Sequence, residues 1–309
     1  MPVQLSMDDG VDIPLPPDRS LSPLLHLVKA FLSLIPQRWK PAIYDAIIAN
    51  RYVCTPLHRT VFRLPFGLVL KNVRNPSPIE ADALRFVSTL RDIHVPHCID
   101  SVSCQDGGYL VTTWVEGDCV CDVWDDLTAS DKERLAHDLR HQLGSMRHQT
   151  RTYEPRTICD ASGGPIEDPR IPWVAGENLR TFPSSQAFAA EVWTGLDLPR
   201  NRDTLQPFIQ PVIERDGVSI VFSHGDLLPR NMIFPGGLNH WRSGGERICI
   251  IDWEYAGWMP NYWDALKATW TQWEPDTEWL QIMRTVFPDC IEELETDWQW
   301  RSRSGITII

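Results

Sequence analysis

Ser223-His224-Gly225-Asp226-Leu227-Leu228-Pro229-Arg230-Asn231, followed by Ile250-Ile251-Asp252-Trp253-Glu254, is where polar residues interrupt apolar runs in the tightest pattern of the chain. The flanking runs Ser219 to Phe222, Met232 to Phe234 and Ile248 to Ile251 read as short buried strands. The D-x-x-x-x-N spacing sets Asp226 and Asn231 at the two ends of one short loop, and the last strand delivers Asp252 to the same edge. Taken singly, each aspartate is an ordinary turn residue and the asparagine an ordinary cap. Taken together, with His224-Gly225 before and Trp253-Glu254 after, they are three polar groups converging from apolar strands.

Working outward, 309 residues suffice for two lobes with their own cores, and 43% hydrophobic with 23% charged residues is ordinary globular composition. The formal charge of -12, with no long run of Lys or Arg, argues against a general nucleic-acid surface, since phosphate backbones reward clustered cations. The 8 cysteines include no C-x-x-C pair, so structural zinc is not expected, and Cys119 and Cys121 at i,i+2 are badly placed for a strand disulfide. Reduced cysteines packed as small apolar residues are the expected state. Residues 1 to 20 lack a basic segment followed by an apolar core, and the apolar run Leu24 to Ile35 falls short of the ~20 residues a membrane span needs. A soluble, cytoplasmic protein is expected, and the sequence is silent on oligomeric state.

The chain divides by the period of its apolar residues. Residues 1–50 read as an arm followed by two helices, the first stopped by Pro36. From 51 to 117 the runs Tyr52-Val53-Cys54, Thr60 to Leu64, Gly67 to Val73, Ile99 to Cys104 and Tyr109 to Val115 predict a small antiparallel sheet. A helix is predicted within it at Pro78 to Val87, and a hairpin turn at Gln105-Asp106-Gly107-Gly108. From 118 to 309 the reading is mainly helical. Thr128 to Asp131 resembles a capping box ahead of a helix whose stripe is Leu135, Leu139, Leu143 and Met146, the stretch from about 162 to 183 is an irregular insert, and the tail beyond Pro260 is helical and rich in Trp. This is an α+β chain.

Phosphoryl transfer asks for in-line positioning and for positive charge on phosphate oxygens. A carboxylate must take or orient the acceptor hydroxyl proton, which suits Asp226. Hard oxygen ligands must hold Mg2+, which takes few protein ligands, and that suits Asn231 and Asp252. Lys71 ends the apolar run Leu68-Val69-Leu70, where a phosphate would offset its desolvation, and Glu80 in the next helix is its natural partner. The plainer readings are an edge-strand lysine and a helix N-terminal acid.

H-G-D-L-x-x-x-N followed by I-D-W-E-x-A-G-x-x-P-x-Y-W-D resembles the aminoglycoside phosphotransferase superfamily, small-molecule kinases with a protein-kinase-like fold that include choline and fructosamine kinases. Among these it is most similar to fungal members whose substrates are mostly unassigned. The resemblance runs through 219–270, extends more loosely over 61–117 and Gly163-Gly164-Pro165, and does not include 1–50. It implies a two-lobe protein-kinase-like fold, with a small antiparallel-sheet N-lobe over 51–117 that binds nucleotide. The mainly helical C-lobe, 118–309, would carry the catalytic loop and the acceptor site. It further implies Asp226 as the catalytic carboxylate, Asn231 and Asp252 as metal ligands, His224 as a structural residue packing the loop, Asp264 as the acid that anchors the loop amides, and Lys71 with Glu80 as the family's ion pair.

By the same resemblance Thr112 lies at the back of the nucleotide pocket, and Thr113, Trp114 and Val115 form the hinge that pairs with the base. The small Thr112 leaves GTP open beside ATP. The phosphate loop departs from the kinase pattern, because Cys54 to Thr60 has no glycine, and Thr55, Arg59 and Thr60 are the candidates to replace it. The acceptor is a small-molecule hydroxyl, and the negative charge favours a cationic one. Among the 14 tryptophans, Trp258, Trp263, Trp270, Trp273 and Trp279 are read first as core, with an aromatic cage for a cation, rimmed by Glu254, Asp276 and Glu278, as the alternative. The rival to an enzyme is a catalytically weak nucleotide-binding regulatory protein of the same fold. A protein kinase is disfavoured, since no peptide-docking segment follows Asp252.

Overall fold

The computed structural model describes residues 21–50, 52–73, 79–105, 107–152, 157–171, 179–194, 202–272, 274 and 276–304; the arm 1–20, Pro78, Asp106 and Trp273 lie outside them. The elements run α1 (Pro23–Leu34), α2 (Lys40–Ala49), β1 (Thr55–Pro56), β2 (Val61–Leu64), β3 (Leu68–Val73), α3 (Ile79–Val87), β4 (Cys98–Cys104), β5 (Gly107–Thr113), β6 (Gly117–Cys119) and α4 (Ala129–Thr150). They continue with β7 (Cys159–Asp160), α5 (Ser185–Thr194), α6 (Arg202–Ile213), β8 (Ile220–Ser223), β9 (Met232–Pro235), α7 (Leu238–Arg242), β10 (Cys249–Ile250), β11 (Gly257–Pro260), α8 (Trp263–Thr269), α9 (Glu278–Val286) and α10 (Ile291–Ser304).

Strands β1 to β5 form an antiparallel sheet in the order β1-β2-β3-β5-β4. Alternation sends Leu68 and Leu70 of β3, with Val111 of β5, to a face covered by Tyr44 and by Leu25, Val28, Leu32, Ile47 and Ile48 of α1 and α2. The opposite face receives α3, whose Ala81, Leu84 and Val87 belong to the main core with Leu110. Two further three-stranded sheets, β10-β9-β6 and β7-β11-β8, carry the loops of the quoted motif within the helical part. The predicted strand Tyr52-Val53-Cys54 is a turn: Asn50 takes the Tyr52 amide on its side chain and the Val53 and Cys54 amides on its carbonyl, so those donors are lost to any ladder. Helix α4 starts at the predicted capping box, Thr128 and Asp131 bonding reciprocally. Helices α5 and α6 were not foreseen, and in α6 Pro207 and Pro211 obscure the helical pattern. Among the described residues no helix is long and apolar enough to cross a membrane.

The N-terminal helices are locked to the sheet by a buried polar cluster. Lys40, 2% exposed, donates to Asp100 of β4 at 2.5 Å, and the Tyr44 hydroxyl donates to the other oxygen of Asp100. Removing one member of a buried pair strands the other charge, at about 3–5 kcal/mol. Asp100→Ala is therefore expected to lower stability by about that amount in denaturant unfolding, whereas exchange of an exposed helical acid such as Glu133 leaves the midpoint within error.

Candidate active site

The loop from His224 to Asn231 is held from beneath by two side chains. Asp264, on the first turn of α8 and 2% exposed, accepts the Gly225 amide at 2.9 Å and the His224 amide at 3.2 Å. Burial raises the pKa of this carboxyl, and the two amides and the nearby His224 work against that rise. His224 Nδ1 accepts the Asp226 amide at 3.1 Å while Nε2 lies 2.9 Å from the Ile251 carbonyl. A carbonyl only accepts, so the imidazole proton sits on Nε2, and His224 ties the loop to the strand that delivers Asp252. Gly225, at φ +82, is required there, because a Cβ would stand 2.2 Å from the Tyr255 carbonyl oxygen.

Asn231 closes the loop. Its amide group donates to the Asp226 carbonyl at 2.7 Å and to Asp226 Oδ2 at 2.8 Å, and Arg230 donates to the same Oδ2 at 2.8 Å. Strand β10 pairs with β9 at Ile250 and Met232, and the Ile251 amide donates to the Asn231 carbonyl at 2.9 Å, so Asp252 emerges one residue beyond that pairing. Asp252 itself sits at φ +66, a backbone region that non-glycine residues seldom occupy and that collects at functional sites.

From the sheet, the register Val69 with Thr112 and Lys71 with Leu110 puts all four residues on the face that α3 covers. Lys71 Nζ donates to Glu80 at 2.6 Å and to Asp252 at 2.8 Å, joining α3, β3 and the motif in one contact. Burial opposes the charge on Lys71, but Glu80 and Asp252 prevail and raise its pKa. Burial also pushes Asp252 upward, and the ammonium of Lys71 overcomes this and holds the carboxyl below its ordinary value. For Glu80 burial dominates and the direction is upward.

Of the hinge residues, Thr113 and Trp114 have spent their amides on the carbonyls of His97 (3.0 Å) and Gly67 (2.7 Å). The amide of Val115, a buried residue, donates to no acceptor among the described residues. The Trp114 indole bonds Glu116 and its ring lies under Arg63, so this side chain braces the junction from outside.

A cavity of about 830 Å³ is lined by Lys71, Glu80, Asp252, Glu254 and, from the glycine-free loop, His58, Arg59 and Thr60; Thr55 is not among its walls. It reaches the Lys71 end of the site and does not include Asp226, Asn231 or Thr112 to Val115. Glu254, an exposed residue, is among its lining side chains. Enclosure by the surrounding protein, followed by the charges of Asp252 and Glu80, pushes its pKa from 4.5 up to about 7. The folded chain therefore holds this proton more tightly than the unfolded chain, and stability falls as pH rises from 4.5 to about 7. Glu254→Gln removes that term. Its melting temperature is expected to gain on the native chain across this window in pH-stepped thermal scans, and the gain levels off above it.

The tryptophan cage does not form around Trp263 and Trp270. Arg170, fully buried, lies 5.4 Å and 4.4 Å from those rings and pairs with Asp297, so the cation over them is the protein's own. Trp279 is core, and Glu278 is engaged by Lys132 at 2.6 Å. Arg230 is the polar residue of the site that sequence reasoning passed over, although its place four residues after Asp226 within the motif was a visible signal.

Comparison with known proteins adds the lineage. Aminoglycoside phosphotransferase APH(3'')-Id from Streptomyces rimosus, solved with ADP and streptomycin, shares 18% identity, covering 87% of this chain and 92% of its own, with a TM-score of 0.47. A glucosamine kinase shares 12% identity over 81% of this chain and 68% of its own, with a TM-score of 0.40. No curated protein sequence matches the chain. Residues 56–289, from β1 through α9 and including every motif residue described above, match the phosphotransferase enzyme family (APH), and the chain belongs to that family.

Proposed function

We propose that the protein moves the γ-phosphoryl group of ATP onto a hydroxyl of a small molecule, with residues 51–117 binding the nucleotide and 118–309 carrying the catalytic loop and the acceptor. The observation that supports this reading is the bridge from Lys71 to both Glu80 and Asp252, an ammonium able to neutralise phosphate oxygens held against the carboxylate that follows the strand bonded to the Asn231 carbonyl.

The donor set suits a small hard cation. Asp226 Oδ1, Asn231 Oδ1 and Asp252 Oδ2 accept no hydrogen bond from the described residues, leaving oxygens of the kind Mg2+ takes in small number. Asn231 and Asp252 would hold the ion. When bound, it supplies positive charge at the phosphate oxygens. Arg230 and Asn231 fix Asp226 Oδ2, so Oδ1 is the atom free to take the acceptor hydroxyl proton. The acceptor oxygen bonds to the γ-phosphorus, the bond from that phosphorus to its bridging oxygen breaks, and ADP departs with the electron pair. The Val115 amide would pair with the base edge, and Thr112, small and buried behind it, accommodates ATP or GTP. The formal net charge of -12 favours a cationic acceptor.

Mass-spectrometric screening of a metabolite extract incubated with the protein and labelled ATP tests the reading, with Asp226→Ala as control. Label entering a hydroxyl compound only with the native chain supports it. The glycine-free loop from Cys54 to Thr60 favours the second reading, a nucleotide-binding regulatory protein. A thermal shift with Mg-ATP and no label transfer to any acceptor would select that reading instead.

A further inference from the structure

Strand β6 ends at Cys119, and residues 120–123 turn away from it, the Asp122 amide donating to the Cys119 carbonyl at 3.0 Å. Strand alternation therefore stops applying between Cys119 and Cys121, and the turn brings their sulfurs to 3.1 Å. Cys121 Sγ also lies 3.3 Å from Asp122 Oδ1, and the ligand atoms of the three residues all fall within 4.8 Å of one another. Among the described residues no other group of three His, Cys, Asp or Glu side chains meets that condition. Both cysteines are free of disulfide bonding, and Cys121 and Asp122 are exposed, so the group is open to solvent.

We propose that Cys119, Cys121 and Asp122 bind a soft divalent cation of the zinc or cadmium class, with solvent in the fourth position. Two sulfurs on one tetrahedral zinc, at bonds of ≈ 2.3 Å, stand about 3.8 Å apart. Opening the pair to that distance takes only a small side-chain rotation in an exposed turn. A disulfide instead needs closure to about 2.05 Å and gives Asp122 no part. Binding is redox-neutral: two S–H bonds break, two metal–sulfur bonds form, and two protons leave. Thiolate ligands reject Mg2+, so the site is chemically separate from the oxygen donors of Asp226, Asn231 and Asp252. It is nonetheless adjacent to them. The Cys119 thiol contacts the Arg230 carbonyl at 3.4 Å and the Pro229 carbonyl at 3.6 Å, and a metal-bound thiolate no longer donates to either.

Titration of the reduced, nucleotide-free full chain with Cd2+, followed by the thiolate-to-cadmium charge-transfer band and by proton release, tests the site. One equivalent of cadmium releasing two protons is expected from the native chain. Cys119→Ser and Cys121→Ser should each weaken binding by well over about 10-fold, Asp122→Asn by at least about that factor, and Cys104→Ser should change nothing. The proposal is overturned by a native chain without the band, by a band undiminished in Cys121→Ser, or by an Asp122→Asn titration that matches the native one. Cys121 is exposed and Asp122 lies on the same turn, so those variants fold even where Cys119→Ser does not, and none of the three residues takes part in the phosphoryl transfer proposed above.

Discussion

Replacing Asp226 by Ala is expected to lower the turnover number for phosphoryl transfer by about 10² to 10⁴, the range that a positioned general base contributes. The argument rests on how the carboxylate is held. One oxygen accepts from both Arg230 and Asn231 at 2.8 Å, which fixes the plane and leaves the other oxygen for the acceptor proton. Deletion leaves Asn231 with its second partner, the Asp226 backbone carbonyl, so the loop keeps its closure. The thermal shift produced by Mg-ATP should therefore survive while turnover collapses. Single-turnover rates with saturating nucleotide separate the two, and a variant retaining more than a tenth of native turnover would remove Asp226 from its assigned role.

Asp252→Ala is expected to do more, abolishing the Mg-ATP thermal shift together with turnover, because the charge held at the phosphates is worth several kcal/mol in the transition state, or about 10³-fold and beyond. Two effects combine here. The carboxylate is the link between the sheet and the motif, through Lys71 at 2.8 Å, and its backbone is in the left-handed region, which Asp and Asn tolerate better than Ala. Asp252→Asn distinguishes them. It keeps the shape and the backbone tolerance, so its unfolding midpoint should stay closer to native than that of the Ala variant, yet it loses the charge and with it the nucleotide response. Calorimetric binding of Mg-ATP to both variants, beside their denaturation curves, makes the comparison. Native-like nucleotide affinity in Asp252→Asn would contradict the proposed ligand role.

These residues were legible because the information lies within short spans. The loop from Asp226 to Asn231, the apolar run ending at Ile251 and the acid at 264 occur within about forty residues, and apolar runs of strand period mark where each polar group emerges. The helix α3 and its Glu80 were readable from the apolar period of the segment, and the capping box of α4 from the identity of its residues. What failed did so for equally local reasons. Tyr52 to Cys54 has strand composition, but one preceding asparagine claims its amides, and α6 is hidden by two prolines.

By itself the sequence determined the α+β character of the chain, the positions of most sheet and helix elements, and the set of polar residues worth watching. Periodicity, capping and loop spacing act over a few residues and need no partner from elsewhere. Only the tertiary structure decided that Lys71 meets Asp252 across 181 positions, that Arg170 occupies the tryptophan cluster, that α1 and α2 cover the outer face of the sheet, and that the turn after β6 folds Cys121 back onto Cys119. Such contacts depend on how separate apolar faces choose one another when they are buried, and on where a chain turns in space. Side chains far apart along the backbone carry no mutual signature of that choice until packing has made it.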